Sequence, residues 1–170
     1  HLRWPCHMYC GSGIPAWNIH TLQLLASYGC IAFVLSPELK REEMQAIAQK
    51  QQPTAILMVY GRTTDMLLNH CPERTFRGLT KGRAQCTLCR QGKGLAEDGL
   101  KDRLGAAFPL RRVHLPEGCL VELLHHRPLH LSKRAFGNRW LLDFSDEPLD
   151  VALMITRYYD ALLRQKALPA

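Results

Sequence analysis

Cysteine is the residue type in this sequence most able to do chemistry. Two of the seven cysteines form a C-x₂-C pair, Cys86-Thr-Leu-Cys89, which lets two thiolates chelate one metal from a tight turn. Cys71 lies before the pair and Cys119 after it, and four thiolates suit either tetrahedral Zn²⁺ or an iron–sulphur cluster. The sequence around the pair is polar and basic, unlike that around a core cysteine. We therefore predict a metal site formed by Cys71, Cys86, Cys89 and Cys119.

The other cysteines have less specific surroundings. Cys30 opens an apolar run, so we expect a buried structural thiol that is distant from the other cysteines. Cys6 and Cys10 bracket His7 with a spacing that fits an accidental pair as well as a functional one. The cysteine count is odd, and the first residues lack the apolar run of a secretory signal, so we expect that they are not a signal peptide. Both features favour reduced thiols and a cytoplasmic protein over a disulfide framework.

The remaining motifs exclude some classes of function. His125-His126 fits either a ligand pair or a pair at a strand end with the two rings on opposite sides, and we favour the second. The sequence contains no H-E-x-x-H, no G-x-S-x-G and no phosphate-cradling glycine loop, so serine and metalloprotease mechanisms have no support. No apolar run approaches the ~18 residues that a membrane span needs. We therefore expect no membrane partner.

The positive charge is concentrated in one segment. The formal net charge is +7, and residues 73–112 hold ten Lys/Arg against four Asp/Glu. This segment contains the C-x₂-C pair. Its cations fit two roles: binding RNA phosphates, or offsetting the negative charge of metal-bound thiolates. The candidate RNA-binding residues are Arg74, Arg77, Lys81, Arg83, Arg111 and Arg112.

Hydrophobic periodicity predicts the elements that must position these residues. Residues 18–28 have the pattern of a helix with one buried face, ended by Gly29. Residues 30–35 and 55–60 are short apolar runs typical of buried parallel strands. Between them, Ser36 and Pro37 fit the cap and first turn of a helix that runs to about Lys50. Strand, helix and strand at this spacing predict a βαβ unit.

The second half of the chain resumes this alternation after an interruption. Residues 69–115 have little periodicity, so a metal is the natural organiser of this stretch. Strands are predicted at 119–124 and 140–144, followed by a helix at 149–163. One face of that helix carries Val151, Met154, Ile155, Tyr158 and Leu162. The pattern predicts an α/β fold over residues 1–170, a partial (β/α)₈ barrel with a cysteine-rich basic insertion at 69–118. Because the chain opens without Met, we expect a piece of a longer protein.

Several motifs occur in the order expected of one family. They are Leu35-Ser-Pro-Glu-Leu39, Val59-Tyr-Gly-Arg62, His70-Cys-Pro72, Cys86-Thr-Leu-Cys89, Leu100-Lys-Asp-Arg103, Phe108-Pro-Leu-Arg-Arg112 and Gly118-Cys119. Together they resemble the bacterial collagenase-like peptidases, peptidase family U thirty-two, whose catalytic type is unknown. The resemblance covers most of the chain, from about Asn18 to Tyr158. It implies a TIM-type barrel, of which this chain would be about the C-terminal half, with the remaining half as its partner in the parent chain.

The resemblance also implies a function. Several members of that family are iron–sulphur proteins that support hydroxylation of RNA or of a quinone precursor, with four cysteines holding a [4Fe–4S] cluster. One of their cysteine positions holds Thr64 here and their signature Glu falls on Ile56, so the C-x₂-C pair would complete the set. We therefore expect an iron–sulphur-dependent RNA-modifying protein or subunit with RNA as its partner. The alternatives are a peptidase, as the family label says, and a zinc-stapled binding module without catalysis.

Overall fold

The computed structural model describes residues 7–14, 16–50, 54–79, 86–89, 91, 99–115, 118–132 and 134–167. It shows a mixed α/β protein, as the sequence predicts. The chain divides into two compact units: unit 1 is His1–Gly61 with Leu129–Ala170, and unit 2 is Arg62–Pro128. No helix in the described ranges is long and apolar enough to cross a membrane.

The described residues form four helices and ten strands. In chain order they are β1 (Met8–Cys10), α1 (Ile19–Ser27), β2 (Cys30–Val34), α2 (Arg41–Ala48), β3 (Thr54–Gly61), β4 (Thr64–Leu68), α3 (Pro72–Phe76), β5 (Leu100–Lys101), β6 (Ala107–Phe108), β7 (Leu110–Leu115), β8 (Gly118–Leu124), β9 (Leu129–His130), β10 (Trp140–Leu142) and α4 (Leu149–Ala167).

Unit 1 is built on a parallel sheet with the strand order β1-β2-β3-β10, and β9 pairs antiparallel with β3. The two apolar runs predicted as buried strands are β2 and β3, which pair directly, with Phe33 opposite Ala55. Phe33 and Val59 are almost fully buried, as expected for strands covered on both faces. Within the described residues the sheet is open, with β1 and β10 at its edges.

The predicted start of α2 is wrong by several residues. Ser36 and Pro37 were expected to begin the helix, but it starts at Arg41. The Ser36 hydroxyl instead accepts hydrogen bonds from the Trp17 indole at 3.1 Å and from the Glu38 backbone N–H at 3.3 Å. Those contacts close a turn after β2, so the helix begins only where the chain leaves that turn.

The predicted C-terminal helix is present as α4, but its buried face differs from the prediction. Met154 and Tyr158 were expected to be buried and are exposed, at 60% and 41%. The residue at the core is Tyr159, which is 1% exposed and whose hydroxyl donates to the Val59 carbonyl at 2.8 Å. Burial, as the main cause, raises the pKa of Tyr159 to about 12. Ile155 packs beside it against the same core.

Unit 2 contains an antiparallel sheet with the strand order β4-β8-β7, and a small β5-β6 hairpin. The predicted strand at 119–124 is confirmed as β8, but it joins this second sheet and not the parallel one. The predicted cysteine-rich segment, 69–118, lies within this unit. Cys71, Cys86, Cys89 and Cys119 therefore belong to unit 2 and not to the parallel sheet.

Candidate metal centre

The four predicted ligands come from three places in unit 2. Cys71 is the N-cap residue of α3, with Pro72 at the first helical position. Cys86 and Cys89 are separated by two residues and lie at the two ends of a short turn. Cys119 is near the start of β8. All four are reduced cysteines of intermediate burial.

Antiparallel strand pairing explains how Cys71 and Cys119 meet although 48 positions separate them in the sequence. Leu68, at the end of β4, pairs with Val121 of β8. Cys71 follows Leu68 by three residues, and Cys119 precedes Val121 by two. Because the strands run in opposite directions, both cysteines lie at the same end of the sheet.

The four thiols line a single cavity of about 70 Å³. Leu88, between the C-x₂-C cysteines, also lines this cavity and is buried, at 8% exposure. The other residues along its wall are His70, Arg74, Thr75 and Leu79. The structure thus brings together all four cysteines that the sequence singled out.

Within the described ranges, no three His, Cys, Asp or Glu side chains are arranged to hold a metal ion as they stand. The other three thiols are nevertheless close enough to affect the ionisation of Cys119. Burial is the main cause that raises the pKa of Cys119, and the neighbouring thiols of Cys89, Cys71 and Cys86 raise it further. The positive charge of Arg112 acts in the opposite direction.

The cations proposed to bind RNA have different surroundings. Arg77 pairs with Glu73 at 2.5 Å, and Arg111 pairs with Glu122 at 2.6 Å. Arg74 lines the cavity and donates to the Leu79 carbonyl at 3.1 Å. Arg112 lies on β7 near Cys119. Lys81 and Arg83 fall outside the described residues.

The four described arginines therefore do not act as one exposed patch. Arg77 and Arg111 are paired with glutamates. Arg74 lines the cysteine cavity, and Arg112 lies on the strand beside that of Cys119. Counting charges along the sequence did not distinguish these roles.

The remaining cysteines correct one prediction. Cys30 is buried, as expected, at 4% exposure, but it is not distant from the other cysteines. Its Sγ donates to the Cys10 Sγ at 3.0 Å, because β1 and β2 are neighbouring strands. The pKa of the Cys10 thiol is raised to about 11, mainly by burial and also by the neighbouring Cys30 thiol. Cys6 falls outside the described residues.

A histidine–aspartate pair was not predicted. His125 and His126 follow β8 as expected, but their rings lie on the same side, with centroids 4.5 Å apart. His125 Nδ1 is 2.8 Å from Asp65 Oδ2. A register shift between Thr64 and Met66 marks a β-bulge at Asp65, a feature that re-aims a side chain. Bulges have no reliable sequence signal, so spacing alone could not reveal this pair.

The pair is separate from the cysteine cavity. His125 follows the end of β8, whereas Cys119 is near the start of that strand. Six residues of extended chain span about 20 Å. The Asp65–His125 pair is therefore not part of the site that the thiols form.

Comparison of the chain with protein-family models, with curated proteins and with solved structures gave no match.

Proposed function

We propose that this protein is an iron–sulphur protein in which Cys71, Cys86, Cys89 and Cys119 hold a [4Fe–4S] cluster. The observation that carries the proposal is that all four thiols line one cavity. Four cysteine thiolates are the usual ligand set of such a cluster. Two other described cysteines, Cys10 and Cys30, are paired with each other in the core of unit 1.

The space between the thiols favours a cluster over a zinc ion. A structural Zn²⁺ with four cysteines draws its sulphurs to about 2.3 Å from the metal, which leaves no room between them. Here the four thiols are among the residues that line a cavity of about 70 Å³, several times the ~10–15 Å³ that one water molecule occupies by a comparable measure. A larger bridging group fits this arrangement better. Zinc is the second candidate, because the same four thiolates would suit it after a contraction of the loop.

The protein's own residues would hold the cluster in three ways. The β4–β8 pairing fixes Cys71 and Cys119 at one end of the sheet, and the Cys86–Cys89 turn supplies the other two thiolates. Leu88 shields one wall of the cavity from water. A bound cluster would supply one-electron transfer, and its net negative charge is complemented by Arg74 and Arg112.

For the activity, we propose the one implied by the family resemblance, cluster-dependent hydroxylation of RNA. Its support is the net positive charge of residues 73–112. The ion pairs of Arg77 and Arg111 with glutamates are partly exposed, and such pairs contribute only about 0–1 kcal/mol. Phosphates can therefore compete with those glutamates for the guanidinium groups.

The peptidase alternative has one supporting feature and lacks another. Asp65 orients His125 in the way that a general base is oriented in hydrolases. A hydrolase of that type also needs a nucleophile within hydrogen-bond reach of the base. The described ring contacts of His125 are with Phe108 and His126, which supply no such group. Cluster-dependent chemistry is therefore the better-supported proposal.

The proposal extends to the fold and the compartment. The parallel β1-β2-β3-β10 sheet, with helices between its strands, fits about half of a (β/α)₈ barrel. The second half would then come from the parent chain. A cytoplasmic location fits the reduced cysteines, because thiols stay reduced there.

The test of the metal site is anaerobic purification and reconstitution with iron and sulphide. We expect a brown protein with about four irons and four sulphides per chain. Replacing any one of Cys71, Cys86, Cys89 or Cys119 by Ala should reduce that content sharply. Cys30→Ala is the matched control, a buried thiol outside the cavity, and it should leave the iron content unchanged. A colourless protein with one bound zinc ion would refute the cluster and support the zinc-stapled module. A protein that binds neither would refute the metal site.

RNA binding is tested separately, by measuring affinity for RNA as a function of salt. Each phosphate neutralised by the protein contributes about −0.7 to −0.9 to the slope of log affinity against log salt. Charge reversal of Arg77 and Arg111 should weaken binding and flatten that slope by about 1.5 to 2, with the iron content unchanged. Charge reversal of Arg41 and Arg134, which lie in unit 1, is the control. Binding that does not depend on salt would contradict the RNA proposal.

A further inference from the structure

We propose that Arg112 sets the reduction potential of the cluster by directing its guanidinium group toward the cysteine ligands. This inference rests on the proposed iron–sulphur function and adds a role to a residue that the sequence assigned to RNA. Three observations support it: the face of the sheet on which Arg112 lies, an unpaired buried donor, and the contrast with its neighbour Arg111.

The strand register places Arg112 on the cysteine-bearing face. In the β7–β8 pair, Arg112 is opposite Val121 and His114 is opposite Cys119. Directly opposed residues project to the same face, and so do residues two apart on one strand. Arg112 and Cys119 are therefore diagonal neighbours, about 7–8 Å apart at their backbones. A long arginine side chain can cover that distance.

The guanidinium group has a donor without a partner. Arg112 Nε is buried, and it makes no hydrogen bond among the described residues. A buried donor left unpaired costs about 1–3 kcal/mol, so such atoms normally have a partner or a ligand. A thiolate or sulphide sulphur at the cavity would be an acceptor for this N–H.

Arg111 provides the contrast within the same strand. It projects to the opposite face, where its Nε donates to Glu122 Oε2 at 2.6 Å. Glu122 is on that face too, since it lies one residue from Val121 on β8. The two adjacent arginines thus have different partners: a carboxylate neutralises Arg111, whereas the Arg112 Nε is free to interact with the cluster.

The physical consequence concerns electron transfer. When the cluster accepts one electron from an external donor, it gains one negative charge and no bond is broken. A nearby cation and an N–H···S hydrogen bond stabilise the more negative, reduced form more than the oxidised form. Arg112 therefore raises the reduction potential, and its replacement by a neutral residue should lower it.

The test is a reductive titration of the full reconstituted 170-residue chain with dithionite, followed by absorbance and by electron paramagnetic resonance. We expect the potential of Arg112→Gln to be clearly more negative than that of the wild type. Arg112→Lys, which keeps the charge but lacks the Nε–H, should fall between them. Arg111→Gln is the control and should match the wild type.

Each outcome bears on the inference. If Arg112→Gln holds a full cluster at the wild-type potential, or if Arg111→Gln shifts the potential equally, the inference is wrong. Loss of the cluster from both Arg112→Gln and Arg112→Lys would make Arg112 a structural residue and would also overturn it. A wild-type chain that binds no cluster would instead refute the proposed function, so the two failures are distinguishable.

Discussion

The buried thiol pair of unit 1 makes a prediction about alkaline stability. Cys10→Ala removes a thiol whose pKa is raised from 9.0 to about 11, mainly by burial and further by the Cys30 sulphur 3.0 Å away. A raised pKa means that the folded state disfavours the thiolate. The resulting stabilisation is fully present below pH 9 and is lost as the pH rises through 11.

The size of the effect follows from the two pKa values. At a pH of about 10.5 the Cys10 thiol is mostly ionised in the unfolded chain but mostly protonated in the folded protein. The free energy of unfolding should therefore fall by about 2 kcal/mol between about pH 8 and pH 10.5 because of this one group. That is a large fraction of the ~5–15 kcal/mol that stabilises a typical protein.

The assay is urea-induced unfolding of the reduced, metal-free protein at both pH values. From the lower to the higher pH, the free energy of unfolding should fall by about 2 kcal/mol more in the wild type than in Cys10→Ala. Cys30→Ala should give an intermediate loss, because burial still raises the pKa of Cys10 after its partner has been removed. Equal losses in the wild type and in Cys10→Ala would show that this thiol ionises freely, and the buried pair would be refuted.

Two further predictions test single contacts. Tyr159→Phe should lower the free energy of unfolding by only about 1 kcal/mol, because the Val59 carbonyl keeps its hydrogen bond from the Leu131 N–H. Calorimetry should therefore show a melting temperature that is lower by about 2–4 °C. A drop above 10 °C would contradict this expectation. Asp65→Asn should remove the carboxylate that fixes the His125 ring nitrogen, so nitrogen NMR should show a mixture of ring tautomers in the variant and a single tautomer in the wild type. An unchanged spectrum would show that Asp65 does not orient the ring.

The elements of unit 1 were largely predictable because they bury apolar residues at regular spacing. β2 and β3 are apolar runs covered on both faces, and α1 has one apolar stripe. The start of α2 was not predictable, because the role of Ser36 depends on Trp17, a residue distant in sequence. Tyr159 was missed for a similar reason, since its polar end is satisfied by a carbonyl of β3.

Unit 2 was harder to predict because two of its strands, β4 and β7, lack the apolar pattern of a buried strand. β4 is exposed over most of its length, so it gave no strand signal. β7 begins Leu-Arg-Arg-Val, and in the sequence its two arginines belong to a single basic segment. In a strand, adjacent side chains point to opposite faces. The sequence therefore showed the charge of Arg111 and Arg112 correctly but not their separate roles.

The β4–β8 pairing links the proposed cluster to the folding of unit 2. It delivers Cys71 and Cys119 to one end of the sheet, so a group that bridges these thiols also holds the two strands in register. Because the unfolded chain does not present the four thiols together, part of the binding free energy becomes folding free energy. A three-stranded sheet with an exposed edge strand has little stability of its own, so such a bridge would stabilise it. Removing the cluster should then loosen β4 and β8 first at the cysteine end, where the ligands are, and only later at Asp65 and His125, about 20 Å away.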